Sequence, residues 1–373
     1  MKKNKFLFCI GLLLTVATIV NAQSVTWISS TEGNVWQKSK VKLQSKSEQN
    51  PVLQVDGTEN GVAFKNWGTT FNELCWDALG LLTRTEQDEI LYNIFSPQGD
   101  LRITRGRISM GANDYARSWY SCDEVEGDFE LRYFNINRDK QTIIPFIRAA
   151  QKYNPNLTFW ISPWCPPSWM KINGDYPVLS SPFNSLSEKQ NYLLYGATGG
   201  QVDENEMKLT GARDGVFPRQ LATTDFMIQD PRYLQTYADY FCRFIDAYKE
   251  QGIPIDMIMY QNEAYSYTPY PGCAWTAEGT VRFNVEYLAP TLKKHHPEVT
   301  LYLGTFNTNR YDYVDKILSD PRMPQSVQGV GFQWEGGQIL PKIRAKYPQY
   351  KYMQTESECG GGTFDWRAGE HTF

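Results

Sequence analysis

From about residue 60 onward the chain alternates short apolar strands with helices, and no other feature of it restricts the fold so strongly. A first strand is read near Val62–Trp67, and Thr83 with Glu86 forms a capping box that opens a helix running to about Ile94. "LRITRGRISM", "LTFWIS" (157–162), "IDMIMY", "TLYLGT", "VQGVGFQW" and "KYMQTE" supply six further strands. The helices between them are read from Lys140 to Tyr153, from Asp230-Pro231 to Glu250, from Thr276 to about Lys294, near Tyr313 to Leu318 and near Gln338 to Lys346. Strand and helix in strict alternation bring the strands parallel. Seven such units predict the α/β class and a (β/α)8 TIM barrel whose chain stops before the eighth strand. An open doubly wound sheet shares the alternation, but "GTTFNE" after the first strand is no Gly-rich phosphate turn.

The flanks read differently. Lys2, Lys3 and Lys5, an apolar run from Phe6 to Val20 and the small Ala22 read as a secretory signal over residues 1–22, so a secreted or periplasmic protein is expected, without an integral membrane segment once the signal is removed. Residues 23–60 carry short alternating pieces such as "KVKLQ", read as strands of a side β-sandwich, and 61–373 are assigned to the barrel. The polar, Gly- and Pro-rich stretch from Gly174 to Asp230 is read as an excursion over the surface.

Composition narrows the chemistry. A net charge of −4 with mixed signs offers no basic face for nucleic acid or an anionic membrane. Three histidines and irregularly spaced cysteines match no zinc pattern, and no metal or cofactor is implied. Aromatics make up 14% of the chain, a supply of flat rings suited to stacking on sugars as well as to filling a core. In a barrel the loops after the strands form the active face, so polar residues where an apolar strand ends are the ones to weigh. Glu263 closes "IDMIMYQNE" and Glu356 closes "KYKYMQTE", which sets them on the fourth and seventh strands, facing one another across the mouth. Two carboxyl groups across an aromatic-lined pocket are what glycosidic cleavage needs, one to protonate the leaving oxygen and one to attack the anomeric carbon or direct water to it. The plainer alternative pairs each Glu with Arg105 or Arg107 as a structural ion pair. Glu358 has the same strand parity as Glu356, and periodicity does not choose between them.

At these residues the chain resembles glycoside hydrolase family 30, a retaining family that includes glucosylceramidases and β-1,6-glucanases. The resemblance runs from about Val62 to Cys359 and rests on "SPWCPPSWMK" after the third strand, "QNE" after the fourth, "GVGFQW" on the sixth and "TESECG" on the seventh. It implies Glu263 as acid/base and Glu356, rather than Glu358, as nucleophile. It further implies substrate-binding roles for Arg107, Asp114, Trp164, Asn262, Trp334 and, on a loop of different length, Tyr270. The implied partner is a β-glucan or β-glucoside substrate. "FNELCWDAL" and "FQW" resemble the β-1,6-glucanase branch, whereas a histidine tends to stand at the position of Gln333 in the glucosylceramidase branch. Trp169 is expected to pack rather than bind.

Two departures from the family pattern stand out. Ala264 follows Glu263 where a proline is common, and the chain ends shortly after the nucleophile, where the family continues into an eighth strand and a β-sandwich. The expectation is therefore a fragment with an open barrel edge, weakly stable and poorly active. A retaining mechanism asks for the two carboxyls about 5–5.5 Å apart and for a raised pKa at Glu263. The rival expectation is a non-catalytic carbohydrate-binding protein, a degenerate barrel keeping the aromatic groove without turnover.

Overall fold

The computed structural model describes residues 24–31, 33–42, 64, 66–179, 181, 182, 184, 225–266 and 268–357. The chain parts into two compact units, the larger spanning Phe64–Ser357. The smaller is described through one antiparallel hairpin, β1 (Ser24–Thr31) and β2 (Asn34–Lys42), which turns at Gly33 with φ of 77° and leaves Trp27 and Trp36 exposed. The expected signal segment, and Glu358 and Cys359, lie outside the described residues.

The larger unit is built on one parallel sheet. Its seven strands run in chain order: β3 (Gly68–Phe71), β4 (Arg105–Ser109), β5 (Thr158–Ser162), β6 (Ile255–Met259), β7 (Thr300–Phe306), β8 (Gly329–Gln333) and β9 (Lys351–Glu356). The helices between them include α1 (Glu73–Gly80), α2 (Arg84–Phe95), α3 (Ile143–Gln151), α4 (Pro231–Glu250), α5 (Ala277–Arg282), α6 (Ala289–His295), α7 (Tyr311–Leu318) and α8 (Leu340–Lys346). The TIM-barrel architecture expected from the alternation is the one observed. β3 and β9 are the two ends of the described sheet. The sheet is strongly curled, because Arg107 on its second strand hydrogen-bonds Glu356 on its seventh across the mouth.

Alternation along each strand sorts side chains onto two faces. On β4, Gly106 and Ile108 face the helices, and Gly106 leaves room for the rings of Phe71 and Phe159. Phe71 is fully buried among Phe95, Phe146 and Phe159, and burying such a ring stabilises the fold by roughly 2–3 kcal/mol. Trp160, Met257 and Met259 form a separate, smaller cluster with Tyr302 and Met353 against it. That inner cluster is the floor beneath the site.

Three readings of the sequence are corrected here. The first strand of the sheet is Gly68–Phe71 rather than Val62–Trp67; Phe64 is 78% exposed, and it is Phe71 that finds the core. "FNELCWDAL" contains a helix that the reading passed over: the Asn72 side chain caps it by accepting from Cys75 N at 2.9 Å. The ends of the stretch read as a surface excursion are packed, with Val178, Leu179, Phe226 and Met227 fully buried. Hydrogen bonds from Val178 N to Thr268 O and from Phe226 N to Ala274 O hold them to the loop after β6.

Candidate active site

The site gathers where β4 to β9 end. Its hub is Arg107, 2% exposed, whose guanidinium lies between two indoles, 4.7 Å from the Trp160 centroid and 4.3 Å from that of Trp164. Nε and Nη2 donate to Ser162 Oγ at 3.0 and 2.8 Å, Nη2 also donates to Asn262 Oδ1 at 2.7 Å, and Nη1 donates to Glu356 Oε1. Every edge of the fork is occupied, which fixes its orientation. Burial pulls the Arg107 pKa down, while the negative charges of Glu356, Asp114 and Glu263 push it back up, so three carboxylates gather around one cation. Arg105, by contrast, pairs with Asp256 and donates to Thr158 Oγ1 at the opposite end of β4, away from both candidate carboxylates.

Glu263 sits four residues past β6 with φ of 49°, a left-handed backbone that side chains other than glycine rarely adopt. Its neighbours hold it there: Glu263 N donates to Thr305 Oγ1 at 3.1 Å, Asn262 N donates to Pro163 O at 2.7 Å, and Thr305 N donates to Gln261 O at 2.6 Å. The fully buried Gln261 donates from Nε2 to Trp164 O at 2.6 Å and to Asn262 O at 2.7 Å, tying the loops after β5 and β6 together. Asn262 Oδ1 accepts from Arg107, from Thr305 Oγ1 at 3.2 Å and from Gln333 Nε2 at 3.4 Å. Three donors on one oxygen assign the amide and leave its NH2 edge as a donor.

Glu356 ends β9, half-buried, opposite Gln333 in the β8–β9 ladder. Its Oε2 accepts from Trp334 Nε1 at 3.0 Å. Trp334 has φ of 50° and is 43% exposed, so the indole is anchored to the carboxylate by its N–H while its ring stays open to solvent. Asp114 stands at the exposed rim on the loop after β4. Crowding of its carboxyl by protein, and next the charge of Glu356, raise its pKa to about 6, with Arg107 opposing.

Of the residues singled out in the sequence, Arg107, Asn262, Glu263, Glu356 and Trp334 share one network, and Asp114 is coupled to it by charge. Trp164 is buried beneath the guanidinium, a floor residue rather than an open platform. Tyr270 is half-buried on the loop after β6, where its carbonyl accepts from Thr268 Oγ1 at 3.0 Å. Trp169 packs edge-on against Phe129 and donates to Asp123 O. Ser162, Gln261, Thr305 and Gln333 were not read as site residues. Ser162 and Gln333 end β5 and β8, Gln261 lies two residues past β6 and Thr305 one before the end of β7, so all four carry the signal that drew attention to the glutamates, a polar residue where an apolar strand gives out.

The sequence pattern of the Glycosyl hydrolase family 30 TIM-barrel domain matches residues 64–181 and 225–371. A putative glucosylceramidase 3 of Caenorhabditis elegans is 26% identical over 368 residues, covering 93% of this chain and 61% of that protein. An endo-1,6-β-D-glucanase of Aspergillus fumigatus is 25% identical over 279 residues, covering 73% of this chain and 50% of that protein. The chain thus spans about half to three fifths of the length of these relatives. Among solved structures, an endo-β1,6-glucanase superposes with a TM-score of 0.64 at 21% identity, over 87% of this chain and 64% of that one. SrfJ from Salmonella typhimurium superposes with a TM-score of 0.65 at 19% identity, over 92% of this chain and 68% of that one.

Proposed function

The chain belongs to glycosyl hydrolase family 30, and on that premise we propose that it acts as a retaining β-glycosidase on β-linked glucans or glucosides, with Glu356 as nucleophile and Glu263 as acid and then base. The observation that carries the reading is the chain of contacts from Glu356 through Arg107 to Asn262, and from the strand partner of Glu356, Gln333, to Glu263. It joins two acids, far apart in sequence, at one barrel mouth.

In the first step a Glu356 oxygen attacks the anomeric carbon, the glycosidic C–O bond breaks, and Glu263 gives its proton to the departing oxygen. In the second, water attacks the same carbon, Glu263 takes the water proton, and the bond to Glu356 breaks. Arg107 and the Trp334 N–H hold the two Glu356 oxygens, the Asn262 NH2 is free to meet a sugar hydroxyl, and Asp114 is placed to bind others from the rim. The open face of Trp334 suits a sugar ring. The β-1,6-linkage is the favoured substrate class, since two of the comparisons above are described as endo-1,6-β-glucanases. Export through residues 1–22 belongs to the same proposal. None of the described helices is long and apolar enough to cross a membrane.

The test measures turnover of an aryl β-glucoside and of β-1,6-glucan, following product configuration by NMR. Glu356→Gly and Glu263→Ala are each expected to lose at least about three orders of magnitude in kcat with native β-1,6-glucan. Added azide is expected to restore Glu263→Ala with a retained β-glycosyl azide and Glu356→Gly with the α-product. Inverted product from the unsubstituted chain, or full activity in Glu356→Gly, overturns the assignment.

A further inference from the structure

We infer that a cleft on the outer wall of the barrel, between α1, α2 and the end of α3, is a second, non-catalytic binding site that takes a sugar unit carrying a phosphate ester. The inference goes beyond the catalytic reading and does not depend on it, because no residue of the strand-end site lines this cleft.

Helical spacing assembles the lining. Arg84, Gln87, Asp88 and Leu91 are spaced at three and four residues along α2 and so share one face. Arg148, Ala149, Lys152 and Tyr153 repeat that pattern from α3 into the turn after it, and Trp76 comes from α1. The space amounts to about 270 Å³, just under the roughly 300–1,000 Å³ usual for ligand pockets, so it suits a single ring with its substituent. Its own rings are held still. Trp76 stacks on Phe146 with centroids 5.5 Å apart at 23°, and Tyr153 meets Tyr92 edge-on at 6.2 Å. Flat surfaces fixed in this way bind the apolar face of a sugar at little entropic cost.

The charges around the cleft are uneven. Arg84, Arg148 and Lys152 stand against Asp88 alone, a surplus of two positive charges on a chain whose net charge is −4. Asp88 is already engaged, since its Oδ1 accepts from Tyr153 Oη at 2.5 Å and from Lys152 Nζ at 3.1 Å. The guanidiniums are less well met: Arg84 Nη1 donates to Gln87 Oε1 at 3.4 Å and Arg148 Nη2 to Gln251 O at 3.3 Å, and neither makes an ion pair among the described residues. A phosphate monoester carries about −1.5 to −2 charges near neutrality and three acceptor oxygens, which matches both the surplus and the two forks. A carboxylate brings one charge only. Exposed arginines commonly face water without a ligand, but here two of them, from different helices, flank one ring-lined cavity.

The experiment titrates the unsubstituted chain with glucose 6-phosphate, inorganic phosphate, glucuronate and glucose by isothermal calorimetry. Beside it stand Arg84→Gln/Arg148→Gln and the two single variants, each checked for folding by circular dichroism. Glucose 6-phosphate is expected to bind with a Kd of about 1 mM or below, at least about tenfold more tightly than glucose or glucuronate, and more weakly as salt is added. The double variant is expected to lose about tenfold or more of that affinity and each single variant about three- to fivefold, which keeps the test decisive if the double variant does not fold. Turnover of an aryl β-glucoside is expected to stay within about twofold of the parent in all three. Glucose 6-phosphate binding that survives both substitutions places the ligand elsewhere and overturns the proposal, as does the absence of binding by the unsubstituted chain. Inorganic phosphate or glucuronate binding equally tightly shows an anion contact indifferent to the ring or to the second charge, and overturns it too. Because the readout is binding, a chain without turnover would overturn the retaining reading and leave this one standing.

Discussion

At the scale of single residues, the arrangement of the site turns on the cation among its carboxylates. Arg107 serves Ser162, Asn262 and Glu356 at once through a planar fork stacked on two indoles, a set of contacts a lysine ammonium cannot reproduce. Arg107→Lys keeps the charge and loses the geometry. It is expected to lower kcat/KM by about two orders of magnitude or more, the usual consequence of displacing a reacting group by an ångström. Activity within a few-fold of the parent on an aryl β-glucoside would contradict this. The glutamates were legible in the sequence because each ends an apolar strand on an acid. Their setting was not: the residues that hold them come from positions 162, 261, 305 and 333, and only folding makes them neighbours. The ion pair of Glu356 with Arg107, weighed as the plainer alternative, is present, and it is compatible with the role proposed for Glu356, since a carboxyl group attacks carbon as an anion.

Among elements, the strands carry the division between core and site. Gly106 lies in the middle of β4, and a Cβ there would meet Phe71 Cε2 at 2.5 Å and Phe159 Cδ1 at 2.9 Å. Gly106→Ala is expected to destabilise by about 1–3 kcal/mol, the range for overpacking a tight core, read as a lower urea midpoint at constant slope. Asn72→Ala removes the cap of α1 and is expected to cost about 1 kcal/mol. Six of the seven strands were legible because apolar runs separated by amphipathic helices say so plainly. The first was displaced because its apolar residues, Phe64 and Trp67, are largely exposed, while the pairing that matters runs from Gly68↔Arg105 to Phe71↔Ile108. α1 was missed because an eight-residue helix leaves too short a pattern to be told from a strand's end.

For the whole molecule, the buried charges set an acid-leaning stability. Loss of solvent around Asp139 and Asp123, as around Asp114, raises each pKa to about 6. A carboxyl with a raised folded pKa binds its proton more tightly in the fold, so stability falls as pH rises from about 4 through 6. Glu73, whose burial is outweighed by hydrogen bonds from Arg138 and the Arg117 N–H, and Asp320, held down by Arg322, act with the opposite sign: their contribution is lost as pH falls below the ordinary carboxylate range. Tm measured by calorimetry is expected to peak near about pH 4 to 4.5, where the two opposing contributions meet, and Asp139→Asn is expected to flatten the decline toward neutrality. A peak above pH 7 that Asp139→Asn leaves unchanged would refute this account. The link between Arg107 and Glu356 spans 249 positions of the chain. Such a bond forms only once the intervening strands have brought β4 and β9 to face one another, since neither residue has a local route to the other. The proposed activity would then depend on the last strand to be added: a molecule in which β9 has not yet docked lacks the anchored Glu356 and is expected to leave sugars uncut.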